Sequence, residues 1–227
     1  YRNGRGEGHD SVGVTAPADE FYLAEGSTAW GFETYVLVQN PNERDAEVTL
    51  TYMTPAGEVP QPAFTVPAGS RKTVRVSDAA PDVDLSTRVR GSLPIVAERA
   101  MYWDAGGGEA CHDSIGVAAP GRAFYFGDGR SGSMGGSVYE TWTLVQNPGD
   151  APVRVRVTYL TIGGKDNREL TETIAPGSRR SFNMSDLVTD RCAGIAVRVE
   201  GAGPDIIAER SMYWGGRGAG TCTVGAR

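Results

Sequence analysis

The chain has 227 residues, a formal net charge of −6, 31 glycines and 13 prolines. That length allows one large domain or two small ones. There is no basic excess for phosphate-backbone binding, and no apolar run reaches the roughly 20 residues of a membrane helix. Nucleic acid and membrane insertion are therefore not expected for this segment.

In chain order, the first signal is a match between His9-Asp-Ser-Val-Gly-Val-Thr-Ala-Pro17 and His112-Asp-Ser-Ile-Gly-Val-Ala-Ala-Pro120. Residues 1–17 thus read as the tail of a preceding copy of a repeated unit. With Tyr1 as its first residue and no leader segment, the chain is expected to be a piece of a longer protein. Two fuller copies follow, 18–120 and 121–227. Phe21-Tyr-Leu-Ala-Glu-Gly26 recurs as Phe124-Tyr-Phe-Gly-Asp-Gly129, and Glu33-Thr-Tyr-Val-Leu-Val-Gln-Asn-Pro41 as Glu140-Thr-Trp-Thr-Leu-Val-Gln-Asn-Pro148. Ile95-Val-Ala-Glu-Arg-Ala-Met-Tyr-Trp103 recurs as Ile206-Ile-Ala-Glu-Arg-Ser-Met-Tyr-Trp214.

Each copy reads as antiparallel β. In 153–159, Val153, Val155, Val157 and Tyr159 alternate with Arg154, Arg156 and Thr158, the pattern of a strand with one wet face. Val48, Leu50 and Tyr52 repeat it, and Asn-Pro and Pro-Gly-Ser clusters punctuate the runs as turns. Helical spacing is confined to short stretches near 78–82 and 186–190. Residues 88–90 are expected to form a strand, 91–94 a hairpin turn, and 95–103 a central strand apolar on both faces. The expected fold is all-β: two tandem antiparallel β-sandwich domains, Ig-like in architecture.

The segments 21–28, 37–41, 66–71 and 94–103 resemble a repeat of large secreted and surface-associated bacterial proteins, whose copies read Trp-Phe-Phe-Ala-Glu-Gly and end in Ala-Glu-Arg-Ser-Met-Tyr-Trp. The resemblance implies an extracellular β-sandwich repeat without an assigned biochemical function. More distantly, the strand order resembles the sensory rhodopsin transducer family, a cytosolic single-domain family whose partners do not carry over to a tandem chain.

Candidate chemistry is sparse. Three carboxylates recur in register: Glu25 or Asp128, Glu33 or Glu140, and Glu98 or Glu209. Paired carboxylates serve acid–base and glycosidase chemistry, and equally serve as structural hydrogen-bond clusters. His9 and His112 fall in loop-like contexts, and no Ser-His-Asp set is available. Gly127-Asp-Gly-Arg-Ser-Gly132 matches a dinucleotide fingerprint in letters but lacks the helix that must follow it. Asp82-Val-Asp84-Leu-Ser86 lacks the glycine and closing glutamate of a calcium loop. No metal or cofactor is expected. Trp30, between Ala29 and Gly31, is the best candidate for an exposed sugar-stacking ring.

Cys192 aligns with Asp82 and Cys222 with Asp113, both beside one end of strand 206–214, so a Cys192–Cys222 disulfide is expected. Closing that loop would stabilise by roughly 3–4 kcal/mol. Cys111 is left over. The expected function is a non-enzymatic spacer, display or adhesion module at the cell surface. The alternatives are a carbohydrate-binding module, contacting cell-wall or host glycans through Trp30, Glu33, Glu98, Glu140 and Glu209, and a hydrolase using Glu33 and Glu98.

Overall fold

The computed structural model describes residues 11–104 and 109–227; His9 and Asp10 of the 9–17 match lie outside them, as do residues 1–8. The fold is all-β, built as two antiparallel sheet assemblies. The first contains β1 (Ala18–Leu23), β2 (Phe32–Asn40), β3 (Ala46–Thr54), β4 (Gly57–Pro60), β5 (Phe64–Val66), β6 (Ser70–Arg75), β7 (Ser86–Asp104) and β8 (Glu109–Ile115). One layer runs β1–β7–β3, with β4 and β5 on the far edge of β3. The other runs β8–β7–β2–β6.

β7 belongs to both layers, and this corrects the sequence expectation of a hairpin turn at 91–94. Those residues stay extended inside one 19-residue strand. A Cβ on Gly91 would sit 2.5 Å from the Leu93 carbonyl oxygen, so glycine permits the tight bend that carries the strand from one layer to the other.

The second assembly contains β9 (Ala123–Phe126), β10 (Arg130–Met134), β11 (Ser137–Asn147), β12 (Val153–Thr161), β13 (Arg168–Ile174), β14 (Ser178–Asn183), β15 (Arg191–Val199), β16 (Ile207–Trp214) and β17 (Ala219–Val224). Its layers, β9–β15–β12–β13 and β17–β16–β11–β14, repeat the pairing scheme of the first. Two differences stand out: residues 200–205 split the counterpart of β7 into β15 and β16, and β10 is added between β11 and β15. The helical stretches expected near 78 and 186 reduce to single 3-10 turns, Val76–Asp78 and Met184–Asp186.

Alternation fills the cores. Val36, Val38, Val48, Leu50, Tyr52, Val89, Ile95 and Ala97 pack between the first pair of layers. Val145, Val153, Val155, Val157, Tyr159, Ile195, Val197 and Ala208 pack between the second. The Gln-Asn-Pro motif has a structural explanation. Buried Asn40 donates through Nδ2 to the carbonyls of Arg44, Val66 and Pro67 and accepts from the Asn42 amide at 3.0 Å. Asn147 makes the same set with Ala151, Ile174, Ala175 and Gly149.

The two sandwiches are not joined by a short link alone. Tyr22, Ala24 and Val117 of the first belong to the core of the second, and Phe32, Met101, Trp103, Ala110 and Tyr213 form a separate apolar cluster at the boundary. One face of β16 and β11, with Ala208 and Val145, closes the second core. The opposite face, with Leu144, Gln146, Glu209, Ser211 and Tyr213, is covered by one end of the first sandwich.

Candidate functional site

The polar residues singled out from the sequence converge at this boundary only in part. Glu209 is fully buried, and the backbone amide of Ala24 donates to its Oε1 at 2.9 Å. Its Oε2 accepts from Arg99 Nη2 at 3.3 Å and from the Cys222 thiol at 3.3 Å. Arg99 is itself 1% exposed and directs Nη1 at His112 Nδ1, 3.2 Å away. A guanidinium only donates, so Nδ1 accepts; a neutral His112 then carries its proton on Nε2, facing Tyr213 Oη at 3.1 Å. Ser211 Oγ donates to Glu25. His112 is therefore a buried strand residue on β8, not a loop residue as its sequence context suggested.

Burial sets the electrostatics. It pushes the Glu209 carboxyl above its ordinary range, with Arg99 pulling the other way. It likewise raises Tyr213 and the Cys222 thiol. Burial opposes the charge on Arg99, but Cys222, Glu209 and Glu25 around it hold that guanidinium firmly protonated. The site is a closed, charge-compensated layer between two sandwiches. A Cβ on Gly220 would lie 3.0 Å from the Trp103 ring, so the strand opposite Trp103 needs glycine for close approach.

Beside this layer opens a cleft of about 360 Å³. Trp30, Phe32, Met101, Trp142 and Tyr213 supply its apolar lining, with Glu25, Asp84, Arg179 and Arg217 among its polar groups. Arg179, almost fully buried, donates from Nη1 to the carbonyls of Gly26 and Leu85, both at 2.8 Å. Arg217 lies over the Phe32 and Tyr213 rings and pairs with Glu140 at 2.8 Å. Trp30 is 74% exposed. It occupies a turn closed by the Phe32 amide on the Ala29 carbonyl, with φ of +59° at Trp30 and +82° at Gly31. These are the signs of a type I′ turn, where asparagine or glycine is usual and tryptophan is strained.

The other candidates do not gather. Glu33 and Glu98 share the outer face of β2 and β7, but Glu33 pairs with Tyr102 and Glu98 with Leu37. Four residue steps separate them by about 13 Å, beyond the carboxylate spacings of glycosidases. Glu33 is held by Arg75 at 2.8 Å and by Ser77, which keep its carboxyl below the usual range. The expected Cys192–Cys222 disulfide is absent: Cys192 and Cys222 are both free thiols. Cys192 sits on β15 with its sulfur 3.8 Å from Met134 Sδ, while Cys222 pairs opposite Ser211 in the other layer. The alignment behind that expectation was shifted by two residues, since Asp82 and Asp190 are the matching left-handed positions, with φ of +52° and +53°.

What sequence reasoning missed is the boundary itself. Arg99, Ser211 and Tyr213 carry no local motif of an interface. The available signal was the two-sided apolarity of strand 95–103 and its repeat 206–214, a pattern that fits a central strand as readily as a covered outer face.

A family model described as a family of unknown function (DUF5719) matches residues 1–97, less than half of the chain. No curated protein matches. Among solved structures, a Thermotoga maritima protein (1070) is similar at 12% identity over 45% of this chain and 96% of its own, with a TM-score of 0.42. The Anabaena sensory rhodopsin transducer is similar at 24% identity over 38% of this chain and 99% of its own, with a TM-score of 0.34. An exo-chitosanase from Amycolatopsis orientalis aligns with 86% of this chain at 12% identity and a TM-score of 0.29, and the chain spans 25% of that enzyme. The chain is thus similar over residues 1–97 to a family of unknown function.

Proposed function

We propose that the chain is a non-catalytic module of a secreted or surface-attached bacterial protein, in which two copies of one β-sandwich repeat are fused into a rigid body for spacing, display or adhesion. The observation that carries this reading is the solvent-sealed Arg99–Glu209 pair bridging the sandwiches. Opening the boundary would expose both charges and the Phe32–Trp103–Tyr213 cluster together, so a hinge there is costly. Calorimetry tests it. One transition with equal calorimetric and van't Hoff enthalpies is expected. Two resolved transitions overturn the reading.

A second reading, saccharide recognition, is favoured by one specific observation. Trp30 is both exposed and held in a strained left-handed conformation at the lip of an aromatic cleft. Strain retained at a surface ring points to a role outside stability. Titration with chitohexaose and cellohexaose, followed by tryptophan fluorescence, tests it. A saturable change lost in Trp30→Ala supports the reading, and no change with either sugar ends it.

A further inference from the structure

The interface inside the chain has two sides, and each side recurs, uncovered, elsewhere on the molecule. The covered side is the outer face of β11 and β16. Its counterpart on the first sandwich is the outer face of β2 and β7: Leu37 stands for Leu144, Gln39 for Gln146, Val96 for Ile207 and Glu98 for Glu209. Leu144, Gln146, Ile207 and Glu209 are 2% exposed or less, yet Gln39 is exposed and Leu37, Val96 and Glu98 are only half-buried. Shallow depressions lined by Leu37, Gln39, Arg71, Val96 and Glu98 mark this face.

The covering side is the end of the first sandwich that presents Arg99 and Met53. Its counterpart on the second presents Arg210 and Leu160. Arg210 is 8% exposed, and its Nε and Nη1 have no hydrogen-bond partner among the described residues. Burial pulls its pKa down; the acidic groups acting on it are Cys222 and Asp128. Met53 is fully buried beneath the Gln146 amide, whereas Leu160 is 45% exposed. β10 runs along this end between β11 and β15 and leaves Leu160 open.

From these correspondences we propose that the face bearing Glu98 docks the Arg210 end of a second copy of this chain, reproducing between molecules the Arg99–Glu209 interface found within one. This rests on the rigid-module reading above. The charges match: among the described residues no carboxylate forms a salt bridge with Arg210 as Glu209 does with Arg99, and no guanidinium forms one with Glu98. The apolar parts match too, with Leu160 against Gln39 in place of Met53 against Gln146. Such contact is heterologous, end onto face, so it leaves a free end and a free face and extends into a linear array.

Sedimentation velocity over a wide concentration range, into the millimolar, tests the proposal. The wild type is expected to show a concentration-dependent rise in sedimentation coefficient. Glu98→Arg alone and Arg210→Glu alone each place like charges at every contact, so each is expected to lose that rise. An equimolar mixture of the two variants restores opposite charges at every contact and is expected to recover it. Because Arg210 is buried, Leu37→Glu and Leu160→Glu serve as surface variants, with folding checked by circular dichroism; both are expected to lose the rise. A wild type that stays monomeric, single variants that associate as the wild type does, or a mixture no better than its components overturns the proposal. A monomeric wild type with one calorimetric transition overturns the array alone and leaves the rigid module standing.

Discussion

Arg99 of the first sandwich donates to Glu209 of the second at 3.3 Å, and neither side chain reaches solvent. The two are not equivalent partners. Arg99 is ringed by Glu209, Glu25 and Cys222, whereas Glu209 depends on Arg99 as its cationic neighbour. Removing one should therefore differ from removing the other. Arg99→Met strands a buried carboxylate and is expected to cost about 3–5 kcal/mol at neutral pH. Glu209→Gln keeps an acceptor for the Ala24 amide and leaves Glu25 near Arg99, so a change within about 1 kcal/mol of wild type is expected. Chemical denaturation of both variants measures the asymmetry. Equal losses would mean that the pair acts as a simple isolated ion pair.

The raised pKa of Glu209 carries a sign that pH titration can read. The folded state holds this proton more tightly than the unfolded chain does. Its contribution to stability is thus fully present below the unfolded carboxylate value, about 4.3, and is lost as pH rises through the folded value. Glu209→Gln removes that titration. Relative to the variant, the wild type is expected to lose stability steadily as pH climbs from about 4 toward neutrality. Glu33 titrates in the opposite sense: lowered by Arg75, it supports the fold above the unfolded value and loses that support on acidification. A flat difference between wild type and Glu209→Gln across this range would remove Glu209 as the titrating group.

The strands were legible because alternation is local. Val153, Val155, Val157 and Tyr159 announce a buried face whatever lies beyond it. The end-on packing of the sandwiches was not, because Glu98 and Glu209 sit in almost identical sequence and differ only in what covers them. The same holds for Arg99 and Arg210. Trp30 was readable as exposed from its flanking residues, but its left-handed backbone follows from the turn joining Ala29 to Phe32. The missed 91–94 bend had a signal in Gly91 and Pro94, which mark a strand changing layers as readily as a hairpin.

Trp30 occupies a position that the backbone would rather give to asparagine. In Trp30→Asn the type I′ turn gains its preferred residue, and the fold is expected to gain about 0.5–1 kcal/mol. The cleft loses its outermost ring in the same step. A stabilised variant that also loses any saccharide-induced fluorescence change would separate the two roles. A destabilised one would show that the ring packs more than its exposure indicates.

The cysteines differ in reach. Cys111 and Cys222 are buried and Cys192 is half-buried, with burial pushing the Cys222 thiol up. Access favours Cys192. Under native conditions a maleimide is expected to modify Cys192 rapidly and Cys222 only on unfolding. Peptide mapping without reductant should find Cys192 and Cys222 as free thiols, and a fragment that joins the two would restore the disulfide.

Asn40 and Asn147 test whether the two sandwiches share one mechanism of strand closure. Each side chain satisfies three carbonyls and one amide where β2 or β11 ends, and each is fully buried. Alanine at either position leaves those groups buried without partners and is expected to cost about 2–4 kcal/mol. Aspartate should be worse, because it turns the donor Nδ2 into an acceptor facing three carbonyl oxygens. If the sandwiches unfold as one body, Asn40→Ala and Asn147→Ala lower the same single transition by similar amounts. If only one of them shifts that transition, or if a second appears, the two closures are energetically independent, and the Arg99–Glu209 layer does not couple them.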